Sequence, residues 1–201
     1  MTPSLTILYT HNLRGDLQML PRLATVLWQL KDDAVRQSDD ADGKTLLLDL
    51  GGSCLPEVWP CGVTGGRSTL MVLDAMAYHA ANVNGLLTAE SRAKLVSRVS
   101  LAVLDEVTPS HEQDEVLLTI VPQTTDRLQV VVVPAEETTL VDHVLRLRGL
   151  DAGQVGVAKL AGDTVRAAIV VVGGDVQPDP TISGVVELVI EEARYYEQNR
   201  R

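Results

Sequence analysis

Leu5-Thr-Ile-Leu-Tyr-Thr-His-Asn-Leu-Arg-Gly15, running on into Leu17 to Lys31, sets the frame in which the rest of the chain is read. Leu5 to Tyr9 is a short, densely apolar run of the kind a buried strand needs, and the polar stretch Thr10 to Asp16 reads as a loop. Leu17, Leu20, Leu23, Val26, Leu27 and Leu30 then fall on one face at helical spacing. Strand, loop and helix in this order form the opening unit of an α/β protein.

The pattern repeats outward from there. After an acidic stretch, Asp32 to Lys44, read as a helix end and an exposed loop, Thr45 to Leu50 forms a second strand-like run, stopped by Gly51 and Gly52. A loop containing Pro and Gly follows, and Ser68 is placed to cap a helix reaching Tyr78. Ala80 to Val83 and Thr88 to Val96 make a third strand and helix, with a further strand at Ser100 to Leu104. Alternation of this kind predicts a largely parallel sheet covered by helices. Glu115 to Val121 and Leu128 to Pro134, flanking the polar Pro122 to Arg127, read as a hairpin, which makes the sheet mixed. A helix near Leu140 to Leu147, a segment at Ala152 to Ala161, a strand at Ala167 to Val172 and a helix over Ile182 to Tyr196 complete the reading.

The 201 residues, 45% of them apolar and 22% charged, are enough to bury one sizeable core, so residues 1–201 are expected to form a single domain. With no Phe, that core must be aliphatic. Seventeen Lys and Arg against 27 Asp and Glu leave a net charge of −10, which repels phosphate backbones and anionic lipid surfaces, so neither nucleic acid nor membrane is an expected partner. No apolar run approaches the roughly 20 residues of a membrane helix, and no secretion signal is visible; the expected location is the cytoplasm. Cys54 and Cys61, too few for a disulfide framework, are expected to be thiols.

Leu5 to Gly15, with Leu20-Pro-Arg-Leu-Ala24, resembles the start of calcineurin-like metallophosphoesterases of the 5'-nucleotidase type, in which a strand leads into T-N-D-L-H-G and then a helix. Thr45-Leu-Leu-Leu-Asp-Leu-Gly-Gly-Ser53 is similar to that family's L-L-L-D-A-G-D-S, and Thr64 to Tyr78 to its helix before the G-N-H-E motif. Leu128 to Pro134 and Ala152 to Gly174 resemble later family segments, the second being a helix followed by a strand. What the resemblance implies is a two-metal hydrolase site at the strand ends, held by Asp, His and Asn. The ligand positions are replaced, however. The first motif's Asp and His fall at Asn12 and Arg14, and the second motif's Asp at Gly52. The third motif falls on Gly85 and Leu86, or in a slipped frame on Asn82-Val83 or Asn84-Gly85, and a later His falls at Gly173 or Gly174. The expectation is a non-catalytic homologue without cofactor, acting as a binding or assembly module. The short chain is expected to lack part of the family's second sheet, so a homo-oligomer or protein partner should cover what is exposed.

The residues of this degenerate site are His11, Asn12, Arg14, Gly52, Ser53, Arg67 and Asn84. Arg14 and Arg67 are read as holders of a small anion, with Gly62 to Ser68 offering backbone donors before a helix. His11, Cys54 and Cys61 form a weaker soft-metal candidate. Two rival readings remain: a phosphoesterase with a rebuilt site, and an anion or nucleotide sensor. His79, His111 and His143 stand singly, without a nucleophile beside them.

Overall fold

The computed structural model describes residues 5–37 and 43–199. In chain order the strands and helices are β1 (Leu5–Thr10), α1 (Leu20–Gln37), β2 (Lys44–Asp49), α2 (Trp59–Thr64), α3 (Arg67–Ala75), β3 (Ala80–Asn82), α4 (Ala89–Val96) and β4 (Ala102–Leu104). They continue with β5 (Ser110–Gln113), β6 (Val116–Thr119), β7 (Gln129–Ala135), β8 (Thr139–Val141), β9 (Val144–Arg148), β10 (Gln154–Ala161), β11 (Thr164–Val171) and α5 (Pro180–Gln198). Part of the acidic stretch read as helix end and loop lies outside the described residues.

Six strands form one sheet in the order β11-β10-β1-β2-β3-β4 and five form a second, β5-β6-β7-β9-β8. Strands β1 to β4 are mutually parallel, while β10 and β11 join β1 by antiparallel pairing. The α/β reading and the mixed sheet therefore hold. A five-stranded second sheet is present.

Alternation along the central strands explains the layering. Leu5, Ile7 and Tyr9 of β1, with Leu46 and Leu48 of β2, join Leu118, Val130, Val132, Leu145 and Leu147 in one core between the sheets. Leu8 and Leu47 point the other way, into a second core with Leu20, Leu23 and Leu27 of α1, Leu70 and Leu73 of α3, and Ile182, Val186 and Val189 of α5. Successive strand side chains face opposite sides, so these central strands must be apolar throughout. Helices cover the outer face of the first sheet. On the second sheet's outer face Gln129 is buried, its amide exchanging hydrogen bonds with the backbone of Gln123 at 2.8 and 2.7 Å.

Several sequence expectations are corrected. Residues 140–147 form no helix: β8 and β9 are an antiparallel hairpin turning at Asp142 and His143, both with positive φ (49° and 64°). That pair of left-handed residues is what a tight two-residue hairpin demands, and Leu145 and Leu147 point inward while Arg146 and Arg148 point out. Strands β6 and β7, read as a hairpin, pair in parallel. The true hairpin is β5–β6, turning at Asp114 and Glu115 (φ 48° and 71°). The segment at 152–161, a helix by the family resemblance, is strand β10, inserted antiparallel between β1 and β11. Gly66, in the left-handed region, occupies the N-cap of α3; Ser68 lies inside the helix, fully buried. The short α2 falls within what reads as loop.

Candidate binding site at the strand ends

In a parallel sheet the loops leaving the carboxyl ends of neighbouring strands lie side by side, and here two of them are stitched together. Leu50 N–H donates to the Thr10 carbonyl at 2.8 Å; Asn12, Arg14 and Gly15 N–H donate to the carbonyls of Gly51, Gly52 and Ser53 at 2.8, 2.8 and 2.9 Å. The β1–β2 pairing thus continues past both strands into their loops. The continuation requires left-handed backbone on each side, at Asn12 (φ 63°), Arg14 (58°) and Gly52 (68°). Asn tolerates that conformation better than most residues and Gly adopts it freely. A Cβ on Gly52 would lie 3.1 Å from the Asn12 Cα, so the close approach also favours glycine there.

On this frame, Arg14 Nε donates to Asn12 Oδ1 at 2.9 Å, leaving an exposed guanidinium at the mouth of the loops. Asn82, at the end of β3, donates through Nδ2 to the Leu50 carbonyl at 3.2 Å and accepts from Asn84 N–H at 3.0 Å. Asn12, Arg14, Gly52 and Ser53 are therefore brought together, with Asn82 and Asn84 bordering them through Leu50 and Gly51.

The other expected members go elsewhere. His11 turns toward the β9–β10 connection, where Nδ1 lies 3.1 Å from Leu150 N and 2.8 Å from its carbonyl. Arg67 is buried, donating to Ser91 Oγ at 3.3 Å with its guanidinium 5.4 Å above the Tyr196 ring. It braces α3 against α4 and α5. Cys54 and Cys61 form a disulfide, which corrects the thiol expectation, and both are buried. Their sulfurs no longer offer thiolates, the form that binds metal, so the trio with His11 does not assemble as ligands. No group of three or more His, Cys, Asp or Glu side chains able to hold a metal occurs among the described residues. The disulfide instead packs under the loop: a Cβ on Gly15 would meet Cys61 Sγ at 2.5 Å.

Sequence reading missed the polar layer beneath these loops. Asp49, fully buried at the end of β2, accepts from Thr10 Oγ1 at 3.0 Å and from Gly51 N–H at 3.3 Å, and Thr10 Oγ1 is 3.1 Å from the Tyr78 hydroxyl. Burial pushes the Asp49 carboxyl up to about 7, against the opposing pull of the Thr10 and Gly51 hydrogen bonds. Burial likewise raises the Tyr78 phenol. The hydroxyl of Ser53 is buried without a hydrogen-bond partner. An Asp set inside a run of leucines, two positions before a pair of glycines, was the available signal for this layer.

Chemically, the strand ends present amides, hydroxyls and one exposed guanidinium fixed by loop-to-loop bonding. No described helix is long and apolar enough to cross a membrane. No protein-family model matches the chain, and no curated protein matches it.

Proposed function

We propose that the chain is a metallophosphoesterase-type domain of the 5'-nucleotidase kind used without catalysis, as a binding or assembly module. One observation carries the reading. The positions at which that family holds its ions are occupied by Asn12, Arg14 and Gly52, and the loop-to-loop backbone bonds and the Arg14–Asn12 contact commit these residues to bracing the strand ends. A fixed guanidinium repels a divalent cation where a carboxylate or imidazole would attract one. The two-sheet architecture, with helices on one outer face, supports the fold side of the proposal.

In this reading the protein acts through a protein surface, with nucleic acid disfavoured by its net charge of −10. The buried disulfide fits an oxidising compartment better than the cytoplasm expected from a chain with no visible secretion signal or long apolar run. The test is hydrolysis of p-nitrophenyl phosphate and bis(p-nitrophenyl) phosphate with manganese, zinc or magnesium supplied. The expected rate equals the metal-only background. Turnover above background that disappears in Asn12→Ala would overturn the reading in favour of a rebuilt phosphoesterase site.

A further inference from the structure

At the end of β1 away from the strand-end loops, the core between the two sheets runs into a cavity of about 370 Å³. Leu5, which opens β1, lines it; the rest of the strand, a rise of about 17 Å, separates it from Thr10. The floor is apolar: Leu5 and Leu160 come from the first sheet, and Leu128 and Leu140 from the side of the second. The rim is made by two tight turns, Asp142-His143 between β8 and β9 and Gly162-Asp163 between β10 and β11. Gly162, at φ 59°, lets β10 reverse into β11 within two residues, so both acids stand on short turns whose backbone is fixed by pairing.

The charge around this cavity has one sign. Asp142 and Asp163 are exposed and join no ion pair among the described residues. No Lys or Arg is among the described residues that line it, His143 being the remaining ionisable group. The cations nearby in the chain are turned away or paired. Lys159 and Arg166 are cross-strand partners, as are Leu160 and Val165. Because Leu160 and Val165 pack into the core between the sheets, alternation puts Lys159 and Arg166 on the opposite face. Arg146 follows the inward Leu145 and points out of the second sheet, and Arg127 pairs with Glu112 at 2.8 Å. The net charge of −10 adds to the rim in the same sense.

The geometry points to a binding site for a small organic cation, an amine or quaternary ammonium carrying an apolar body the length of a short alkyl chain. The body lies against the four leucines and the charged head stays at the rim that carries Asp142 and Asp163. The volume falls within the ~300–1,000 Å³ of small-molecule sites, which are likewise mostly apolar with a few polar groups that fix orientation. Each part of the cavity selects against another occupant. An anion meets two carboxylates and no cation, and a neutral apolar molecule leaves the rim without a counter-charge. A metal ion would have to exchange its water for leucine, with two carboxylates in place of the six or more oxygens it prefers. A second copy of the chain brings its own −10 to an acidic rim. The assignment goes beyond the non-catalytic reading and is independent of it, since the cavity shares no residue with the strand-end loops.

The probes are hexylammonium, hexanol and hexanoate, which share one apolar body and differ in charge, each titrated into the ¹⁵N-labelled full chain. Hexylammonium is expected to give saturable shifts at the amides of Leu5, Leu128, Leu140, His143 and Gly162. Hexanol should bind about ten-fold more weakly and hexanoate more weakly again. Butylammonium, shorter by two methylenes, should lose about ten-fold against hexylammonium, because each methylene buried on the leucines adds affinity. Carboxylates acting alone would bind both amines alike. Asp142→Asn combined with Asp163→Asn should bring hexylammonium down to the level of hexanol and leave hexanol unchanged; Asn suits the left-handed position of Asp142 as Asp does. Sodium chloride should weaken hexylammonium and spare hexanol, a comparison that needs no variant to fold. Absence of saturable shifts at these amides, equal affinity for hexylammonium and hexanol, equal affinity for the two amines, or undiminished binding to the double variant overturns the proposal. Metal-dependent phosphate-ester hydrolysis would sink the non-catalytic reading and leave this result untouched.

Discussion

Asp49 shows how a single carboxyl can couple the strand ends to pH. Its folded value of about 7 lies above the unfolded value of about 4, so between those limits the folded state holds the proton that the unfolded state has released. Stability from this group is complete below about pH 4 and lost as pH rises through about 7, by roughly 4 kcal/mol as an order of magnitude. Asp49→Asn removes the titration. Urea unfolding at several pH values should show the wild type losing stability relative to the variant from about pH 4 to 7, and a constant difference would disprove the coupling. At Gly156 the issue is space: Gly156→Ala must displace the Tyr9 ring, at a cost of about 1–3 kcal/mol read from the urea midpoint. Neither residue was legible as such in the sequence. Burial of Asp49 depends on Thr10 and Tyr78, 39 and 29 positions away, and the demand at Gly156 depends on a ring from another strand.

Among the elements, the disulfide-closed segment from Cys54 to Cys61 has the most direct link to the candidate site. It joins the loop after β2 to α2, and its Cys61 sulfur supports Gly15, whose N–H donates to the Ser53 carbonyl. A short closed loop gives up little unfolded-state entropy, so removing the bond should cost about 2 kcal/mol. Cys54→Ser with Cys61→Ser, followed by thermal melting and amide exchange, is expected to lower Tm and speed exchange at Asn12, Arg14 and Gly15. Unchanged exchange there would separate the disulfide from the site. The elements misread from sequence fail for a common reason. Residues 140–147 carry apolar side chains at Leu140, Val144 and Leu147, which suit a helix, and at Leu145 and Leu147, which suit a strand. Eight residues cannot separate the two periods. The turn at Asp142–His143 and the vacant position beside β7 settle the choice.

For the whole molecule, the sequence by itself determined the opening strand–loop–helix units, the aliphatic core and the α/β class, because their apolar periodicity is local and long enough to be unambiguous. It also placed Asn12, Arg14, Gly52 and Ser53 at strand ends, since in a parallel sheet those loops follow from strand order alone. Only the tertiary structure decided that β10 enters the sheet antiparallel, that β6 and β7 run parallel, that Arg67 and His11 face away from the strand ends, and that the two cysteines pair. It alone placed β11 at the end of the six-stranded sheet, where among the described residues it pairs with β10. Pairing partners and burial are set by residues far apart in the chain, and a one-residue change in register reverses which face or edge a group occupies. Local pattern carries no record of that choice.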